Sequence, residues 1–199
     1  MIFKIAPVLA LLLFLSVGPS AAQEKEQPNA LAICSVIINE MTEGRLSLRQ
    51  SYDVASAIAH AANKYFHRVT CGDMWLYMAI VYVESGFKNN IVNHKNCRGM
   101  FQVHAPSWAS KFSVKYADLL DLRVNAECGV QIFKYYLELY GNVIPALSAY
   151  NSDHPHAARG YARAVLSARE SIKKRYIQLY RAYRDSPMLA AVANNKISK

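Results

Sequence analysis

Beyond its N-terminal segment the chain has no apolar run long enough to cross a bilayer. It has no CxxC pair, so its four cysteines do not read as a zinc site. It has no nucleic-acid motif and no glycine-aromatic RNA signature, which sets nucleic acid aside as a partner despite a net charge of +9. Strand signals are weak, and there is no internal repeat and no low-complexity tract. Acid is scarce near the end: residues 159–199 hold ten basic residues and two acidic ones, so the excess charge sits there and the remainder is close to neutral. Such a basic stretch suits an anionic polymer or lipid, or is a solvated helix face.

The N-terminal segment carries one charge, Lys4, then an apolar run from Ile5 to Val17. Gly18-Pro19 breaks it and Ser20-Ala21-Ala22 offers small residues for cleavage, the pattern of a secretory signal. An uncleaved anchor is the alternative. The reading divides the chain into a signal peptide at 1–22, an N-terminal extension at 23–46, one domain at 47–185 and a flexible tail at 186–199. Export to a bacterial periplasm or medium is expected. About 177 residues remain after cleavage, enough for one domain with a real core. An even cysteine count in an exported chain reads as two disulfides, with three pairings open for Cys34, Cys71, Cys97 and Cys128.

Helical spacing dominates what is present, so the fold class is mostly α. Ala30 to Met41 forms a short helix with Leu31, Cys34, Ile37 and Ile38 on one face. Ser47 caps an amphipathic helix to Phe66, with Gln50 three residues on. Its apolar positions are Leu48, Tyr52, Ala55, Ala59, Ala62 and Phe66. Asp73 caps a helix from Met74 to Ser85 that is apolar nearly all round and therefore buried; Gly86 ends it. A loop follows to Arg98, and a helical turn spans Pro106 to Lys111. Further helices run from Val124 to Tyr140, from Ile144 to Tyr150 and from Gly160 to Asp185, where Ser186-Pro187 stops the last.

The residue that most suggests chemistry is Glu84, in the last turn of the buried helix. Burial disfavours its charged form. The negative end of the helix dipole disfavours an anion there too. Both effects raise its pKa. A carboxylic acid still protonated near neutral pH is what cleavage of a glycosidic bond needs, because the leaving oxygen must receive a proton. A surface Glu at a helix end is the plain alternative.

Three runs in order carry a resemblance: Glu84-Ser85-Gly86-Phe87, Gly99-Met100-Phe101-Gln102 and Ala149-Tyr150-Asn151. Asn125 with Gly129, and the stretch Tyr161 to Leu166, add to it. The pattern, over roughly Met74 to Leu166, resembles the lytic transglycosylases of the soluble-lytic-transglycosylase type. The resemblance implies a lysozyme-like single α domain, without cofactor or metal, that cleaves the MurNAc–GlcNAc bond of peptidoglycan. Glu84 would be the single catalytic acid and then base. The C6 hydroxyl of MurNAc would attack C1, giving a 1,6-anhydro product without consuming water. Ser85, Gln102, Tyr150 and Asn151 would line the sugar cleft, with Tyr161 a further candidate whose position on an amphipathic helix also suits core. Gln and Asn both donate to and accept from sugar hydroxyls and N-acetyl groups. The partners implied are peptidoglycan glycan strands and, by likeness to small specialised members, an envelope-spanning secretion, conjugation or pilus assembly. A monomer is expected.

The chain departs from the family's pattern at several positions. Asn93 replaces a serine, Cys97 an alanine, and His104 stands where methionine often follows the glutamine. Ser152-Asp153-His154-Pro155 replaces a glycine-rich turn. The change at Cys97 implies that Cys97 and Cys128 are partners, leaving Cys34 with Cys71. Asp153 as a second carboxylate would allow a lysozyme-type hydrolase, although Asp is common in turns. A wall-binding module without catalysis is the reading from another class, and the presence of Glu84 counts against it. His154 and His156 lack a clear third ligand and read as surface. Tyr77, Tyr82, Tyr135, Tyr136 and Tyr140 read as core or cleft rim.

Overall fold

A computed structural model of the chain describes residues 29–66 and 71–185, with residues 71–73 described by their backbone alone. The expected signal peptide, the stop at Ser186-Pro187 and the tail lie outside that description. The helix expected from Met74 begins at Cys71, so the backbone of Asp73 lies inside its first turn rather than at its cap. The architecture is mostly α. The helices are α1 (Ala30–Met41), α2 (Leu48–Tyr65), α3 (Cys71–Ser85), α4 (Ala105–Trp108), α5 (Leu122–Tyr140), α6 (Val143–Ser152) and α7 (Arg159–Arg184). A 3₁₀ turn occupies Ala117–Leu120. Strands β1 (Cys97–Arg98) and β2 (Val103–His104) form one short antiparallel pair, Cys97 opposite His104 and Arg98 opposite Val103. Among the described residues no helix is long and apolar enough to cross a membrane. The chain divides into two units, one of residues 29–52 with 174–185, the other Asp53–Lys173.

In the first unit α1 has the expected bounds but not the expected single face. Ala32 to Ile38 are all buried, at 0–2 % exposure. Asn29 caps the helix by accepting from the Leu31 N–H at 3.0 Å. Glu40 near its end takes both a 2.8 Å and a 2.6 Å bond from the Arg175 guanidinium, the two-pronged geometry that makes Arg–carboxylate pairs specific. The Ser47–Gln50 capping box is formed reciprocally. The Gln50 N–H donates to Ser47 Oγ at 3.2 Å and the Ser47 N–H to Gln50 Oε1 at 2.9 Å.

Along α2, which these two residues open, the buried face is Ser51, Val54, Ala55, Ala57, Ile58, Ala61 and Ala62. Of the six apolar positions expected there, only Ala55 and Ala62 are fully buried. The bulky Leu48, Tyr52 and Phe66 lie at the edge of the stripe, and the small residues take the close approach.

The second unit carries α3, which is buried from Leu76 to Val81. The chain leaves it through two successive left-handed residues, Gly86 (φ 58°) and Phe87 (φ 63°). Left-handed backbone is unstrained for glycine and costs a bulky residue on the order of 1 kcal/mol. Phe87 is 1 % exposed, and its burial offsets that cost. The effect is to fix where α3 stops, and so where Glu84 and Ser85 stand.

The following loop is held to α5 by Asn125. This fully buried amide accepts from the Phe101 N–H and donates to the Arg98 and Leu119 carbonyls, each at 2.8 Å. Two glycines make the fit possible. Gly99 has φ 71°, and a Cβ there would lie 2.2 Å from Asn125 Nδ2 and 2.5 Å from the Leu119 carbonyl oxygen. A Cβ on Gly129 would lie 2.3 Å from the Phe101 ring. Asp121 caps α5 by accepting from the Arg123 and Val124 N–H groups, and Gly141 (φ 64°) ends it.

Replacing Asn125 with Leu would leave three backbone groups without this partner, two of them buried, at about 1 kcal/mol or more each. Asn125→Leu is expected to lower the unfolding free energy by about 3 kcal/mol in urea melts followed by circular dichroism. Gly99→Ala is expected to be at least as damaging, because it adds backbone strain to the collision. Native-like melts for both variants would show that the amide does not hold the loop.

Candidate active site

Glu84 lies half-buried in the last turn of α3. Its neighbour in space is Tyr161, from the first turn of α7, whose hydroxyl donates to Glu84 Oε1 at 2.6 Å. Burial pushes the carboxyl up to about 7, and the Tyr161 hydrogen bond, which favours the anion, pulls against it. The sequence expectation of a raised acid therefore agrees in direction, with burial as its largest cause. Tyr161 is more than core: it touches the carboxylate. Its own phenol is held well above its usual range by burial first and the Glu84 charge second, so it stays a donor.

Tyr150 is near the same carboxyl. Burial, then the charge of Glu84, keeps its phenol well above its usual range. Its hydroxyl donates to the Phe101 carbonyl at 2.8 Å, tying α6 to the turn before β2. In that turn Gln102 has φ 48°, a left-handed conformation uncommon for a residue with a side chain. Two bonds to the Gly99 carbonyl hold it, one from its own N–H at 3.1 Å and one from its side-chain amide at 2.9 Å. Its Oε1 is left as the acceptor. Ser85 Oγ turns back to the Val81 carbonyl at 3.1 Å. Asn151 is exposed near the end of α6, one residue beyond Tyr150. The structure thus joins Glu84 to Tyr161 directly and Tyr150 to the Gln102 turn, while Ser85 is spent on its own helix.

Asp153 is the left-handed cap of α6 (φ 58°), exposed, and accepts from the Tyr136 hydroxyl. That is the turn role expected of it. His154 and His156 are exposed with their rings edge to face at 6.0 Å, and His154 Nδ1 accepts from the His156 N–H at 3.3 Å.

The Cys97–Cys128 bridge implied by the resemblance is not formed, and both residues carry thiols. The tie such a bridge would supply between loop and α5 is made instead by Asn125 and by Phe101 against Gly129. Burial raises both thiols, Cys128 up to about 12, so neither is a ready thiolate at neutral pH. The Cys34–Cys71 pairing falls on the Cys71 side chain, outside the described residues.

Asn125 was visible in the sequence only as part of a family-like helix. Its spacing to Gly129 was the available signal for a buried clamp.

A carboxyl with a raised pKa makes folding weaker as pH rises, because the folded state holds a proton that the unfolded chain gives up near 4.5. The full stability is present below about 4.5 and is lost through about 7. Glu84→Gln removes that loss. Its advantage over the native protein in unfolding free energy is expected to grow by about 3 kcal/mol between pH 4 and pH 8. Urea melts across that range check it, and a difference that is flat with pH would contradict the raised pKa.

No curated protein and no solved structure matches the chain. Residues 72–164, a little under half of it, match the family model described as "Transglycosylase SLT domain", and this supports a lytic transglycosylase of the lysozyme-like superfamily acting on peptidoglycan.

Proposed function

We infer that the protein cleaves the MurNAc–GlcNAc bond of peptidoglycan as a lytic transglycosylase, with Glu84 as its single catalytic group. The observation that carries this reading is the half-buried Glu84 carboxyl, raised to about 7 and bonded to the Tyr161 hydroxyl. In the reaction Glu84 gives its proton to the glycosidic oxygen as the C1–O bond breaks. The carboxylate so formed is stabilised by the Tyr161 hydroxyl. It then takes the proton of the MurNAc C6 hydroxyl as O6 bonds to C1, closing the 1,6-anhydro ring. The proton count returns to its start and no water enters. Gln102, held at its turn, and Asn151, exposed, would meet sugar hydroxyls and N-acetyl groups; Tyr150 would hold that wall in place.

Asp153 favours this course over a lysozyme-type hydrolysis, since it serves as a helix cap against Tyr136 rather than as a base for water. Export to the periplasm rests on the apolar N-terminal run and its small-residue end. Service to an envelope-spanning assembly rests on the likeness to small specialised members alone.

Mass spectrometry of digested peptidoglycan is expected to show anhydro-sugar ends with the native protein and no release with Glu84→Gln. Reducing ends would establish hydrolysis instead. The rate is expected to fall as pH rises through about 7, where Glu84 loses its proton. Tyr161→Phe removes the bond that lowers the Glu84 pKa. It is expected to move the alkaline limb upward and to slow the reaction about 10- to 100-fold, the worth of a hydrogen bond to a charged group. A slower enzyme with an unmoved limb would put Tyr161 outside the proton chemistry.

A further inference from the structure

A second concave feature lies on the same unit, at the end of α6. It is a groove of about 300 Å³ walled by Trp108, Lys111, Tyr135, Tyr136, Tyr140 and Asp153. Its aromatic wall is continuous. Trp108 meets Tyr135 and Tyr136 edge-on at 5.6 and 6.0 Å, and Tyr136 stacks on Tyr140 at 6.3 Å. Tyr135 is 50 % exposed, at a rim rather than in the core. Trp108 and Tyr136 are buried, at 8 % and 5 % exposure, so Tyr135 and Tyr140 are the rings of this wall that reach solvent.

The charges around this wall are placed unusually. The Lys111 ammonium sits 4.3 Å over the Trp108 ring, and no carboxylate lies within ion-pair distance of it among the described residues. Asp153 is exposed and bonded to the Tyr136 hydroxyl, with no cationic side chain paired to it among the described residues. Lys111 and Asp153 therefore share one groove without neutralising each other. A neutral sugar can hydrogen-bond to such groups but leaves both charges unmatched, whereas an occupant with a carboxylate at one end, an amine at the other and apolar methyl or methylene groups between them matches both.

Asp153 also stands two residues beyond Asn151, so the groove continues from the expected sugar wall. We propose that the groove between α4, α5 and the end of α6 binds the peptide stem of a muramyl residue, with Lys111 taking a stem carboxylate, Asp153 the side-chain amine of its diamino acid, and the tyrosine wall the alanine methyls. This rests on the peptidoglycan reading of Glu84, since the stem is part of that substrate.

The test separates the two. Glu84→Gln protein, which holds substrate without turnover, is titrated with a soluble stem tetrapeptide containing diaminopimelate, and with glycan strands stripped of stems by an amidase. The tetrapeptide is expected to bind and to shift amide resonances at Trp108, Tyr135 and Tyr140. Adding Lys111→Glu should weaken it about tenfold or more, whereas Lys115→Glu, on the neighbouring surface, should not. On the catalytically intact background, Lys111→Glu is expected to lower the ratio of kcat/KM for stem-bearing over stripped strands by a similar factor. Absence of tetrapeptide binding overturns the proposal even if the enzyme cleaves both substrates. Binding of stripped strands at these resonances, with no response to the tetrapeptide, also overturns it and assigns the groove to sugar. If the native protein cleaves nothing while the tetrapeptide binds with the expected lysine dependence, the groove stands and the catalytic reading of Glu84 falls.

Discussion

The hydrogen bond from Tyr161 to Glu84 is the constraint on which the site turns. A carboxyl withdrawn from water at the end of an apolar helix would, by burial alone, hold its proton tightly. The phenol supplies the one strong donor that lowers this tendency, and it can do so because its own ionisation is pushed out of range by the same burial. Burial is the larger cause for both groups; the Glu84 charge adds to the rise of the tyrosine, and the tyrosine hydrogen bond moderates the rise of the carboxyl. Each comes from a different helix, 77 residues apart. The start of α7 must therefore be held against the end of α3 for either to have its property.

The other wall is built by exclusion rather than attraction. Asn125 reaches three backbone groups only because Gly99 and Gly129 leave room for the amide and for the Phe101 ring. This converts a loop into a fixed platform without a covalent link. It also fixes Gln102 in a left-handed conformation, with its amide nitrogen engaged and its carbonyl oxygen left over. Strain at such a position persists only where the surroundings over-determine it. Here Tyr150 bonds the Phe101 carbonyl next to it and Asn125 the Phe101 N–H, so the turn is held from both sides.

What could be read from the sequence follows from this division. The bounds of α1, the Ser47–Gln50 capping box, the ends of α3 and α5 at Gly86 and Gly141, and the direction of the Glu84 shift all depend on residues within a turn or two of each other. The buried face of α2 is rotated from the one the spacing picked out: Val54, Ala57, Ile58 and Ala61 join Ala55 and Ala62, and Leu48, Tyr52, Ala59 and Phe66 fall at its edge. The Tyr161 contact, the three-way Asn125 clamp and the groove of Trp108 with Tyr135, Tyr136 and Tyr140 join distant segments. No local period announces them. The cysteine count suggested bridges, but the loop and α5 already meet through an amide and a ring, and Cys97 and Cys128 remain thiols.

A single carboxylate that must first give and then take a proton works best when neither form is far the more stable. Glu84 meets that condition through opposition: desolvation favours the acid, Tyr161 the anion, and the balance falls at about 7. An acid shifted by burial alone would be a reluctant donor, and one relaxed into water would already be ionised. The cost is carried by the fold, since above neutrality the protein holds a half-buried anion that a glutamine would not impose. Asp153 shows the contrast on the same unit. It is exposed, bound to the Tyr136 phenol and placed at the end of a helix, and in the proposed reaction it meets charge on the substrate rather than moving protons.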